Sequence, residues 1–122
     1  MAYLNDEALD GGLDWVDTNG TRIDICSQEP TTYTEATSTY TLGNKTGLNT
    51  GAPTNGDASG RKVVVPAITD GSVTATATAT HWALTDGTSV LLATNSLSSS
   101  QAVTSGNTFT LGAIDITIPD PA

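Results

Sequence analysis

Only one cysteine, Cys26, occurs in the chain. No disulfide can form within it, so a stapled secreted scaffold is excluded and stability must come from packing or from assembly with further copies. Aromatic residues are 5% of the sequence and charged residues 14%. The first value is low for an aromatic sugar-binding face, and the second is unlike a highly charged disordered chain. Basic residues number 4 against 13 acidic ones, for a net charge of -9. Such a chain repels a phosphate backbone, and nucleic acid is not an expected partner. No apolar run approaches the roughly 18 residues of a membrane span. The opening MAYLNDEALD carries acids where a signal peptide carries Lys or Arg. The expectation is a single domain over residues 1–122, made and folded in a cytoplasm, with no membrane partner.

What the chain does have is alternation. In SVTATATATHWALTD, Thr74, Thr76, Thr78 and Thr80 fall on one side of a pleated ribbon, and Val73, Ala75, Ala77 and Ala79 on the other. Trp82 and Leu84 have the opposite parity, so either the strand changes face near Thr80 or its alanine side packs against one neighbour and its Trp82 side against another. TRIDICS alternates in the same way and reads as a half-buried strand ended by Gln28, Glu29 and Pro30. In TTYTEATSTYTL, Tyr33 and Tyr40 differ in parity, so this segment cannot be one flat strand with both rings on one face. Asp70-Gly71 and Asp86-Gly87 read as hairpin corners, and Gly106-Asn107 as a further turn. Pro66 in KVVVPAI marks a sheet edge or an irregularity. Phe109 and Leu111 are odd-numbered while Ile114, Ile116 and Ile118 are even, which predicts a bend near Gly112. Residues 43–60, GNKTGLNTGAPTNGDASG, read as a long loop.

Helical spacing is confined to the first 18 residues, where Leu9, Leu13 and Val16 share a stripe and Asn5 or Asp6 can cap it. Gly11 and Gly12 each cost about 1 kcal/mol in a helix and predict a break there. The fold class expected is all-β, a β-sandwich or small barrel built as an antiparallel meander, with a short N-terminal α-helix.

Candidate chemistry is sparse. His81 has Asp70 and Asp86 near it in sequence, but no nucleophile elbow accompanies it, and a histidine beside Trp82 reads as a structural residue. Asp17, Asn19 and Gly20 hint at a calcium loop, yet that register places Trp15 first and Cys26 last, where oxygen ligands are required. Cys26 reads as a small buried hydrophobe. The threonine array could order ice, but one row is not a plane, and close packing through its alanine side is the better reading. Asn19-Gly20-Thr21 and Asn44-Lys45-Thr46 match the glycosylation pattern without an export signal to make it meaningful. No catalytic residue, metal ligand or cofactor is expected.

TRIDICSQEPTTYTEATSTYTLGNKTG, GRKVVVPAITDGSVTATATATHWALTDG and LSSSQAVTSGNTFTLGAIDITIPDP resemble a family of small virion-associated proteins of tailed bacteriophages and prophages, mostly of alphaproteobacterial hosts. The resemblance spans nearly the whole chain and rests on extended sequence, not on a catalytic signature. It implies a non-enzymatic particle component assembled in the host cytoplasm and located in the virion. Capsid decoration or a neck and collar accessory role is expected, with the major capsid or neck and tail proteins as partners and a homo-oligomeric state. The residues expected to contact partners are Leu9, Leu13 and Val16 on the helix, and Leu48 and Pro53 in the long loop, the alternative for the helix being that it covers one open side of its own sandwich. The alternative is a glycan- or receptor-binding module displayed on the particle, with Trp82, Tyr33 and Tyr40 as aromatic platforms.

Overall fold

A computed structural model describes residues 6–58 and 60–118, with the side chains of residues 6–10 outside that description. The first element is α1, Asp6–Asn19. Gly11 and Gly12 lie inside it and do not break it. Leu13, only 1% exposed, anchors the middle of the helix, which packs on two strands described below, and burial of this kind outweighs poor intrinsic propensity. The helix ends where the Gly20 amide donates to the Val16 carbonyl (2.6 Å) and the Asn19 side-chain amide donates to the Trp15 carbonyl (2.9 Å). A Cβ at Gly20 would lie 2.7 Å from the Val16 carbonyl oxygen, so only glycine permits this tight exit into the first strand.

Nine strands follow: β1 Arg22–Cys26, β2 Thr41–Lys45, β3 Thr54–Asn55, β4 Arg61–Val65, β5 Ile68–Val73, β6 Ala77–Thr85, β7 Leu91–Val103, β8 Thr108–Leu111 and β9 Ile114–Ile118. A π-helical turn, Glu35–Thr39, precedes β2. The larger sheet has the order β7-β6-β1-β2-β5-β8 and the smaller one β3-β4-β9, with every pairing antiparallel. The larger sheet curls until its two edges approach, and the Gln101 side-chain amide on β7 donates to the Thr110 carbonyl on β8 (3.0 Å). Inside the curl, Ile23, Ile25, Leu42, Trp82, Leu84 and Phe109 form one cluster with Val65 of the smaller sheet, and Ile114 and Ile116 of β9 pack against it. Helix α1 lies against β4 and β9. The all-β class with an N-terminal helix is therefore the observed one.

Several local expectations are corrected. Asp70-Gly71 is no corner; it lies inside β5, where the Phe109 ring occupies the space a Gly71 side chain would need. The turn falls instead after β4, at Pro66-Ala67, where the chain passes from the smaller sheet to the larger one. The alternating run is two strands, not one. The Thr74 and Ala75 amides both donate to the Leu42 carbonyl (2.8 and 3.2 Å), and the chain there crosses the end of β2 to reach the far side of β1. β1 is buried on both faces, not one, since Ile23, Asp24, Ile25 and Cys26 are all fully buried. β2 runs through Gly43 to Lys45, so the long loop begins after residue 45 and is interrupted by β3.

Other expectations agree with the structure. The chain bends at Gly112-Ala113, where β8 of the larger sheet gives way to β9 of the smaller. Irregularity also falls at Thr80, because Ala79 pairs with Gln101 while His81 pairs with Ser96, leaving residues 97–100 of β7 bulged opposite Thr80 alone. Asp86-Gly87 does open the β6–β7 hairpin. Asp86 Oδ1 accepts the amides of Thr88, Ser89 and Val90 (2.9, 2.9 and 3.0 Å), and these bonds hold its carboxyl below the usual carboxylate range.

Candidate interaction surfaces

The residues expected to meet partners do not form one exposed patch. Leu13 is spent on the chain's own interior at 1% exposure, and Val16 and Leu48 are half-buried against the main core. The Leu48 amide donates to the Thr21 carbonyl (3.0 Å), and the buried Thr50 hydroxyl donates to Asp17 (3.0 Å), so this part of the loop is tied down beside the helix. Pro53 is half-buried, its carbonyl accepting from Arg61 (3.2 Å). The Leu9 side chain lies outside the described residues. What the helix presents outward is Trp15, 49% exposed, flanked by the exposed Asp14 and Thr18. Its position off the Leu9, Leu13, Val16 stripe is the signal that marks it.

The polar groups near His81 are otherwise engaged. His81 Nδ1 lies 2.9 Å from the Thr80 hydroxyl, Asp70 takes the Lys45 ammonium (2.9 Å), and Asp86 binds the hairpin amides. Among the described residues no group of His, Cys, Asp and Glu side chains is placed to hold a metal ion. No helix of the described residues is long and apolar enough to cross a membrane.

The outer face of β1 is built differently from the inner one. Asp24, fully buried, accepts a two-pronged bond from Arg22 (2.8 and 2.9 Å) and a bond from the Thr41 hydroxyl (2.6 Å). This hydrogen bonding raises the Arg22 guanidinium pKa against the opposing effect of burial. Next along, Cys26 packs with Ala36 of the π-helical turn and Ala83 of β6, its thiol donating to the Ala36 carbonyl (3.6 Å). Burial pushes that thiol from 9.0 up to about 12. Below 9.0 the thiol is neutral in both the folded and the unfolded chain. Between 9.0 and about 12 the unfolded chain ionises while the folded one resists, so stability falls as pH rises across that window. Native protein is expected to leave Cys26 unmodified by a thiol reagent at pH 8 and to react fully in denaturant; rapid labelling of the folded chain would overturn this burial.

The aromatic residues are divided between the two faces. Trp82, 7% exposed, belongs to the inner core, while Tyr40 packs against the Cys26 cluster on the outside. They do not make a common platform.

Two features stood outside the sequence reading. One is a cleft of about 440 Å³ between the β7 bulge and the β8–β9 corner, with Trp82 and Leu111 at its base and Ser98, Ser99, Gln101 and Thr110 around it. The other is the extent of β7: SVLLAT reads as a short strand, but β7 runs on through the serine-rich stretch to Val103, thirteen residues in all, at the edge of the larger sheet. From Gly87 to Ile114 the sequence contains no Asp, Glu, Lys or Arg, and both features are built within this stretch and the strand beside it. That gap in charge was visible in the sequence, but it acquires meaning only when β7 is known to be an edge. The chain matches no family model, no curated protein and no solved structure.

Proposed function

We propose that the chain is a non-enzymatic structural protein of a tailed-phage particle, a capsid decoration or neck and collar accessory subunit that binds other virion proteins and further copies of itself. This reading rests on the resemblance of residues 21–47, 60–87 and 97–121 to the virion-associated family. The architecture supports it. Arg22, Lys45 and Lys62 are each held by a carboxylate, and Arg61 reaches the Asn55 side chain (2.8 Å) and the Pro53 carbonyl, so the cations serve the fold. A long uncharged edge strand, by contrast, is a surface suited to another polypeptide. Quantitative mass spectrometry of purified particles is expected to find the chain at stoichiometric copy number, and its absence from particles would overturn the proposal.

A second reading, a glycan- or receptor-binding module displayed on the particle, draws on the cleft. Its volume suits a small ligand, and hydroxyl and amide groups beside apolar side chains match a neutral sugar better than an ion. If this reading holds, a glycan array gives a signal that Ser98→Trp, which fills the cleft mouth, abolishes. No signal, or one indifferent to that substitution, counts against it.

A further inference from the structure

We propose that the cleft between the β7 bulge and the β8–β9 corner binds a neutral N-acetylated sugar, whose acetamido carbonyl accepts from the Trp82 indole N–H. The inference rests on the glycan-binding reading above and deepens it by naming the class of sugar and the atom that selects it.

An indole nitrogen is a donor only, and one buried in a core normally has an acceptor. Among the described residues the Trp82 N–H has none, and no polar side-chain atom of theirs is both unpartnered and shut off from solvent. The N–H is therefore open to solvent. Trp82 belongs to the inner core, is only 7% exposed and lines the cleft, so that small opening is the cleft's own. An unused donor stands at its base.

The surroundings of that donor decide the acceptor. Leu111, 8% exposed, and the half-buried Leu97 line the same cleft. A ligand hydroxyl brought against them would carry its own proton among apolar side chains, at the cost of an unpaired donor. A carbonyl oxygen accepts without donating, and an acetamido group joins it to a methyl that the leucines can cover. Around the opening the character is reversed. Ser98, Ser99 and Thr110 are exposed there, and among the described residues their hydroxyls are uncommitted. Such groups both donate and accept, as the ring hydroxyls of a sugar do.

Charge narrows the class further. No lining residue is charged, and Asp115, the first acid beyond the cleft along β9, is held by Lys62 (3.1 Å). A carboxylate or phosphate on the sugar would find no cation in the cleft, on a chain of net charge -9. An uncharged N-acetylhexosamine fits, and acidic sugars do not.

The indole proton resonances of the full, isotope-labelled chain test this without altering the core. The chain has two tryptophans, and Trp15→Phe, on the exposed side of the helix, identifies the Trp82 signal by elimination. Titration with methyl N-acetylglucosaminide is expected to shift the Trp82 N–H with a dissociation constant of about 1 mM and to leave that of Trp15 in place. Methyl glucoside, which has a hydroxyl where the acetamido group was, and N-methylacetamide, which has no ring, are each expected to bind about tenfold more weakly. N-acetylneuraminic acid, with the acetamido group beside a carboxylate, is expected not to bind, and Ser98→Trp abolishes the shift. No movement of the Trp82 N–H at about 20 mM acetamido sugar overturns the proposal. So does a shift indifferent to Ser98→Trp, binding of the acidic sugar, or N-methylacetamide bound as tightly as the whole sugar, which would make the occupant a peptide amide. A glucoside bound as tightly as the acetamido sugar overturns the selection and leaves the glycan reading standing. Failure of every saccharide, in solution and on the array, removes both.

Discussion

Gly71→Ala is expected to destabilise the fold by about 3 kcal/mol, an overpacking cost at the upper end of what one added methyl brings. A Cβ built on Gly71 runs into the Phe109 ring, which is 1% exposed and enclosed by the core, so neither group has room to move. Phe109→Ala removes the ring and leaves a cavity, at a cost of about 4 kcal/mol. The informative variant carries both changes. With the ring gone the added methyl has space, so the double variant should cost little more than Phe109→Ala alone. The coupling between the two sites is then about 3 kcal/mol, read by urea unfolding of all four proteins. Additive effects would mean that the ring does not lie over Gly71. The same series separates strand from corner: Gly71 is not among the positive-φ glycines, so its requirement is for space and not for a left-handed backbone.

The second large effect is expected at the buried ion pair. Arg22→Leu leaves Asp24 as a fully buried carboxylate whose remaining side-chain partner is the Thr41 hydroxyl, and should cost about 4 kcal/mol. Asp24→Asn should cost less, about 2 kcal/mol, because the Arg22 side chain is 21% exposed and can recruit water while the amide still bonds Thr41. The asymmetry is the test. Arg22 variants less damaging than Asp24→Asn in denaturant unfolding would show that the pair is open to solvent. Removing both partners, as Arg22→Leu with Asp24→Leu, should recover part of the loss, since a desolvated pair gives little net stability over apolar groups of similar volume.

These two sites show why some of the fold was legible in the sequence and some was not. The strand β1 and the irregularities near Thr80 and Gly112 were readable because side-chain direction along a strand has a fixed period, although β1 is covered on both faces. The glycines misled where they were read as turn formers. Gly43 and Gly71 sit within strands, and a Cβ at Gly43 would collide with the Ser72 carbonyl of the neighbouring strand just as one at Gly71 meets Phe109. Glycine needed for close approach and glycine needed for a turn look identical in one dimension. The helix glycines misled for the opposite reason, since their propensity cost is local and the burial of Leu13 that overrides it is not.

The candidate surfaces divide in the same way. The helix stripe was correctly seen as apolar, but whether it faces a partner or its own sheet depends on packing, and Leu13 lies inward. Trp82 and Tyr40 could not be placed on opposite faces until the strand order was known.

By itself the sequence determined the strand-rich class, the N-terminal helix, the absence of an intrachain disulfide and the acidic charge, because composition and periodicity act over a few residues. The tertiary structure alone decided which strands are edges, since the order β7-β6-β1-β2-β5-β8 depends on crossovers between distant segments. It thereby made an uncharged, serine-rich stretch a sheet edge, broken by irregularities at Leu92 and at residues 97–100, because only the absence of a neighbour leaves backbone hydrogen-bonding groups without a partner strand.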